Sequence, residues 1–303
     1  MQIARALACA AVLIGAPAAA AEDGAPFHHA VGTDLFFSTD AEDTDVVKAG
    51  LNLDFVYSDP DHRYGVRLEK AWFKPLGHGW QGRERAYLRG ADAFGDWKWN
   101  ATVGTDGHTV LGSAAIHDEA SFRKEFFLER EILETPMGLK RGIYYTFGGA
   151  AIDLPADDRN VLTLVAGLQD FTGDNVRTHL RATAVHVLND QGLSIQLRTR
   201  YFHDSDPHEF DYYSPRWYVQ AVPVLQLRRF TNGGWRYLVA GGVGVQRDSD
   251  TGWRRSSYFN AQLSSPPRRG WSGNAALLFS ETPTTTGQSY NYLQLTFGLT
   301  RAF

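Results

Sequence analysis

The sequence predicts an all-β protein, an antiparallel transmembrane β-barrel of about sixteen strands. Three observations predict it: an export leader at the N-terminus, apolar–polar alternation with a period of two, and a last amphipathic strand ending on Phe303.

The leader comes first. Arg5 supplies a positive start, Ala6 to Gly15 is apolar but too short to span a bilayer, and Ala19-Ala20-Ala21 offers the small residues of a cleavage site. Cleavage is expected after Ala21, so residues 1–21 are a signal peptide, 22–29 a short periplasmic lead-in and 30–303 the barrel. Cys9, the only cysteine, falls in the leader, so the mature chain is expected to hold neither a disulfide nor a thiolate metal site. Beyond the leader no apolar run approaches the ~20 residues of a membrane helix. Transmembrane strands need only ~9–11 residues with alternate ones apolar, so a mildly polar chain can still cross. The formal net charge of −4 gives no reason to expect a nucleic-acid partner.

The strands follow in order. Val47, Ala49, Leu51, Leu53, Phe55 and Tyr57 alternate with Lys48, Gly50, Asn52, Asp54 and Val56. Thr178, Leu180 and Ala182 alternate with Arg177, His179, Arg181 and Thr183. The clearest case is Gly192 to Phe202: Leu193, Ile195, Leu197, Thr199 and Tyr201 share one face, and Ser194, Gln196, Arg198, Arg200 and Phe202 the other. From Trp235 to Gln246 and from Leu293 to Phe303 the pattern repeats. In a barrel the apolar face meets lipid and the polar face lines the lumen.

Tight-turn dipeptides such as Asp59-Pro60-Asp61, Pro136-Met137-Gly138, Gly173-Asp174-Asn175 and Asn232-Gly233-Gly234 separate the strands. Counting between them gives about sixteen strands, within a range of fourteen to eighteen. Tryptophans at 80, 97, 99, 217, 235, 253 and 271 stand near the expected strand ends, where a membrane interface favours them. A soluble β-sandwich or propeller would share the alternation. The leader, the closing strand and the lack of blade-like repeats favour the barrel.

A barrel of this size is wide enough for an aqueous lumen. Its inward faces would carry Asp34, Asp54, Arg67, Glu69, Glu125, Glu129, Glu131, Arg177, His179, Arg181, Gln196, Arg198 and Arg200. Mixed charge suits a hydrated polar solute such as a sugar chain, whereas a selective ion pore would show one sign. The same charges could equally pair across strands and stiffen the wall. The stretch Phe202 to Asp211 holds His203, His208 and four acids, which could bind a divalent cation but lack metal-site spacing; a solvated hairpin loop fits better. Ser205 there lacks the flanking glycines of a nucleophile elbow.

The core Tyr212-Tyr213-Ser214-Pro215, followed by Trp217, resembles a signature in the C-terminal barrels of exopolysaccharide export proteins, the outer-membrane subunits for cellulose and poly-N-acetylglucosamine. Arg177–Arg181 and Leu197–Tyr201 are similar in placement, and the likeness is firmest over residues 153–303. It implies a sixteen-stranded barrel that conducts a growing polysaccharide across the outer membrane. Those exporters also carry a helical-repeat scaffold that this sequence lacks, which implies a separate periplasmic scaffold or another role. Phe303 on its amphipathic strand resembles the signal read by the outer-membrane barrel assembly machinery. Apart from the resemblance, Pro215 suits a strand start, and Tyr212 and Tyr213 suit interface anchors.

These readings combine into an integral outer-membrane barrel in contact with lipid, a passive conduit for polysaccharide or sugar that uses no cofactor and performs no chemistry. Two rivals stand beside it: a structural or biofilm-related barrel with a closed lumen, and an outer-membrane lipid hydrolase.

Overall fold

A computed structural model describes residues 27–41, 43–283 and 289–303. The leader and most of the lead-in lie outside the described residues.

The described residues form sixteen strands. The first eight are β1 (Ala30–Asp40), β2 (Asp45–Asp59), β3 (His62–Lys74), β4 (Gln81–Phe94), β5 (Trp97–Thr105), β6 (Val110–Asp118), β7 (Lys124–Ile132) and β8 (Tyr144–Asp157). The others are β9 (Asn160–Phe171), β10 (Val176–Val187), β11 (Leu193–Asp204), β12 (Trp217–Phe230), β13 (Arg236–Asp248), β14 (Arg254–Ser264), β15 (Trp271–Pro283) and β16 (Ser289–Ala302). One short helix, α1 (Pro136–Arg141), interrupts them between β7 and β8. Every strand pairs antiparallel with its sequence neighbours, and β1 closes on β16 in a register running from Ala30↔Ala302 to Asp40↔Tyr292. Closure satisfies every ladder and leaves no edge, as a strand structure in hydrocarbon requires.

Alternation decides what each face meets. The outer face presents Leu35, Leu51, Leu68, Leu88, Leu128 and Leu225, all exposed on the isolated barrel, as a band for lipid. Trp97, Trp217 and Trp271 begin their strands, and Trp235 and Trp253 stand one residue before β13 and β14, at interface height. At the end that holds both termini, turns as short as residues 60–61, 95–96 and 158–159 join the strands. The opposite end carries the longest connections, residues 133–143 and 205–216. Short periplasmic turns and long outer loops are the outer-membrane pattern, so the terminal end faces the periplasm.

Three expectations change. Tyr57 does not share the lipid face: a register shift between Asp54 and Val56 reverses the alternation, exposing Val56 (57%) and burying Tyr57 (7%). Pro136-Met137-Gly138 is not a hairpin turn but the start of α1. Thr135 caps that helix, its Oγ1 accepting from Gly138 N–H at 3.0 Å, with Pro136 in the first turn and Gly142 ending it at φ 69°. Pro215 lies two residues before β12, in the preceding loop.

The candidate functional site is the lumen

All thirteen predicted lumen residues fall on the inward parity of their strands, but they do different work. On β1–β4 and β7 the charges compensate one another. Asp34 accepts from Arg67 and, at 3.0 Å, from Asn52 Nδ2; Arg67 Nη2 also donates to Glu69 at 2.7 Å. Glu69 takes Arg85 Nη1 at 3.0 Å, Arg85 Nη2 reaches Glu131 at 2.8 Å, and Lys48 Nζ lies 3.3 Å from Glu131 and 3.8 Å from Glu134. Asp54 is paired with Arg89 at 3.2 Å. Because β2 and β4 are not neighbours of β7, the Lys48 and Arg85 contacts cross the lumen rather than follow the wall. Glu125 is held by Arg123 at 2.8 Å, and Glu129 accepts the Tyr145 hydroxyl at 2.7 Å. The stiffening role foreseen for mixed charge therefore describes the carboxylates.

On β10 and β11 the cations stack on rings. Arg181 lies over Phe147 (5.9 Å) and Arg198 over Tyr258 (4.6 Å), while Arg200 packs on Phe202 (5.4 Å) and Tyr218 (5.9 Å). Arg198 Nε also donates to Gln196 Oε1 at 2.9 Å. Register sets Arg181 directly opposite Arg200, a like-charge cross-strand pair. His179 is buried, its Nε2 3.0 Å from Gln169 Oε1 and its ring against Phe147. A cavity of about 1380 Å³ spreads below these side chains, reaching the periplasmic rim at Gln191 and Phe230 and lined also by Gln220, Gln226, Asn260 and Gln262.

Above this cavity two connections fold inward as a cap. Leu139 of α1 is buried among Val46, Phe73, Tyr87 and Leu111, lumen-facing side chains of β2, β3, β4 and β6. Arg83 ties the helix to that wall by donating to the Leu139 carbonyl at 2.8 Å. The 205–216 loop docks from the other side. Tyr212 stacks on Phe171 (4.5 Å between ring centres), and Tyr213 meets Phe202 and Tyr218 edge-on while its hydroxyl binds Asp248. The two halves meet at Asp211, whose carboxylate accepts the Thr135 hydroxyl at 2.6 Å and Met137 N–H at 2.7 Å.

The latch is Arg177. Its Nε donates to Asp204 at 2.8 Å and its Nη2 to the Tyr213 carbonyl at 2.6 Å, with the guanidinium between Phe171 and Phe202 at 5.2 and 4.4 Å. Asn175 completes it, donating from Nδ2 to Asp204 and to the Tyr212 hydroxyl, both at 2.9 Å. Glu209 accepts the backbone N–H groups of Asp174 (2.5 Å) and Asn175 (3.3 Å), and Gly173 at φ 128° makes room: a Cβ there would stand 2.0 Å from the Glu209 carboxylate.

The stretch Phe202 to Asp211 is thus not a solvated loop, because Asp204, Glu209 and Asp211 are spent on docking it. Tyr212 and Tyr213 are not interface anchors; both are buried in the cap, as is Ser214. Ser205 Oγ accepts Val176 N–H at 2.8 Å, part of the same docking. Among the described residues no group of three or more His, Cys, Asp or Glu is placed to hold a metal. Sequence reasoning missed Asn175, read as a turn residue, and Asp248 and Phe171, whose roles need the loop above them. Phe303 ends the barrel at the periplasmic rim, its carbonyl accepting His28 N–H at 3.2 Å and His29 N–H at 3.1 Å.

No family model and no curated protein matches the chain. Among solved structures it is similar to a bacterial polysaccharide outer membrane secretin, with 14% identity over 92% of this chain and 100% of that one and a TM-score of 0.69. The outer membrane protein OprD from Pseudomonas aeruginosa shares 9% identity over 92% of this chain and 95% of its own, with a TM-score of 0.48. OccAB3 of Acinetobacter baumannii gives 10%, 91% and 99%, with a TM-score of 0.45. The closed sheet of sixteen strands, matched over nearly its whole length by the first of these, gives the chain the fold of an outer-membrane β-barrel.

Proposed function

We propose that this barrel is a passive conduit through which a polysaccharide or sugar crosses the outer membrane, without a cofactor and without chemistry of its own. The observation that carries the reading is the cavity of about 1380 Å³ that opens toward the periplasmic rim and is walled by amides, hydroxyls and ring-stacked arginines. Such groups bind a hydrated chain weakly and at several sites, so it can enter and also leave. The likeness to a polysaccharide outer membrane secretin supports the same solute class. Lipid, the barrel assembly machinery and a separate periplasmic scaffold are its proposed partners. Conductance of the refolded chain in a planar bilayer tests the conduit. Channels are expected, and their number or size should rise when the Arg177 latch is removed. A chain that conducts at no voltage, latched or unlatched, refutes the proposal.

The cap favours a second reading, a structural barrel kept closed. It predicts silence in the same bilayers for both the native chain and the latch variant.

A further inference from the structure

The periplasmic rim is unevenly charged, and one basic stretch of it borders the lipid face. We propose that the rim of β14–β16 binds an anionic phospholipid of the periplasmic leaflet, its phosphate on Arg268, Arg269 and Arg301 and its acyl chains along the apolar face above them. The site lies on the outside of the wall, so the inference holds whether or not the lumen conducts.

Four observations carry it. First, the charge of this stretch has one sign. Neither Asp nor Glu occurs in residues 27–33, 227–238, 263–272 or 297–303, the segments that form the rim here. The β2–β3, β4–β5 and β8–β9 turns on the rest of the rim carry or adjoin Asp59, Asp61, Asp92, Asp96, Asp157 and Asp158 instead. Second, the three arginines form one patch. Arg268 and Arg269 are neighbours in the β14–β15 turn, both exposed, and Arg301 of β16 donates to the Arg269 carbonyl. Third, Arg301 lies on the lipid side. It follows Leu295 and Phe297, both exposed, on the same parity, and its register partners Trp271 and Val31 are exposed as well. Its guanidinium stacks 5.3 Å from the centre of the Trp271 ring, which holds it at interface height. Fourth, the polar partners of these side chains among the described residues are carbonyls, which leave their charge uncancelled: that of Arg269 for Arg301 and, at 3.4 Å, that of Gly233 for Arg268. A guanidinium has five N–H donors, so a single carbonyl bond leaves N–H groups to grip a phosphate.

The order of chemistry selects the occupant. An anion is wanted at the rim, and directly above it Leu263, Trp271, Phe297 and Leu295 present an outer face that hydrocarbon must cover. A phospholipid has its phosphate and its chains in that sequence. A soluble anion would make no use of the apolar face, and an acidic protein segment would leave that face to lipid. A zwitterionic lipid carries its own ammonium group into the patch and meets repulsion there, which favours a head group of net negative charge.

Native mass spectrometry of the refolded full-length chain, released from detergent micelles doped with phosphatidylglycerol or phosphatidylethanolamine of the same acyl chains, tests the inference. The native chain should retain phosphatidylglycerol with about tenfold higher affinity. Combining Arg268→Gln with Arg269→Gln should bring the two lipids level. Arg301→Gln should remove part of the preference, and Arg301→Lys, which keeps the charge without the fork, should fall between it and the native chain. Combining Lys124→Gln with Arg159→Gln removes the same charge elsewhere on the rim and should leave the preference unchanged. Arg268 and Arg269 lie outside the strands, so if Arg301→Gln does not close, the turn pair decides. Equal retention of the two lipids by the native chain overturns the inference. So does a loss of preference in the Lys124 and Arg159 pair as large as in the turn pair, which would make net charge the cause. Glycerophosphoglycerol, the head group without chains, should not displace the lipid at equal concentration; displacement would mark a site for soluble phosphate and overturn the lipid assignment. Displacement by a polyglutamate peptide would do the same in favour of a protein partner.

Discussion

Replacing Arg177 with Met tests the cap most directly. The native side chain makes two charge-assisted hydrogen bonds, 2.8 Å to Asp204 and 2.6 Å to the Tyr213 carbonyl, while sandwiched between two rings. Its side chain is 4% exposed and that of Asp204 0%. Methionine keeps the apolar stem but leaves the Asp204 carboxylate buried. Removing one partner of a buried ion pair costs about 3–5 kcal/mol. The remaining 2.9 Å bond from Asn175 to Asp204 places the loss near the lower end. At about 1.4 kcal/mol per tenfold, roughly 3 kcal/mol raises the undocked population of the 205–216 loop by about a hundredfold.

Chymotrypsin reads that population, because the loop carries Phe210, Tyr212 and Tyr213, and the last two are buried when docked. When reclosing outpaces cleavage, the cutting rate follows the open fraction. Arg177→Met should therefore be cut about a hundred times faster than the native chain within this loop and at native rates elsewhere. Arg177→Lys, with the charge but not the fork, should fall between. Cutting of Arg177→Met at the native rate, with the sheet intact, would refute the latch.

Asp106, in the turn between β5 and β6, supplies a pH test. Burial raises its carboxyl pKa, but the N–H groups of His108 and Thr109, the Tyr144 hydroxyl and Arg83 outweigh that and hold it below the ordinary aspartate value. A depressed pKa gives stability that is full above the unfolded value and lost as pH falls through the folded one. Hydrogen exchange at this turn should thus accelerate relative to its neighbours below the ordinary aspartate range, and Asp106→Asn should abolish that pH dependence. On the lipid face, Leu88 sits mid-strand at 72% exposure, so Leu88→Arg should destabilise the barrel in bilayers by about 2–4 kcal/mol, measured by denaturant-induced unfolding from vesicles. Phe303 is 61% exposed, so Phe303→Gln should leave refolding into detergent unchanged while reducing the closed band recovered from cell envelopes; equal recovery would contradict the assembly-signal reading.

By itself the sequence determined the wall. Alternation is a local property with a period of two, so Leu193 to Phe202 declares both its lipid side and its lumen side before any partner strand is known. Tight turns then set the strand number, and all thirteen inward residues followed. Where a bulge intervened, as before Tyr57, the parity failed, because one extra residue leaves no mark on hydrophobicity. The cap was beyond local reading. Tyr212 and Tyr213 look the same in sequence whether they anchor at an interface or plug a lumen. Only the closed sheet brings Phe171, Phe202 and Asp248 to the place where these tyrosines land. The charges divide in the same way. Their presence on the inner face was legible, but which acids would be neutralised across the lumen depended on the side-chain geometry joining strands far apart in the sheet.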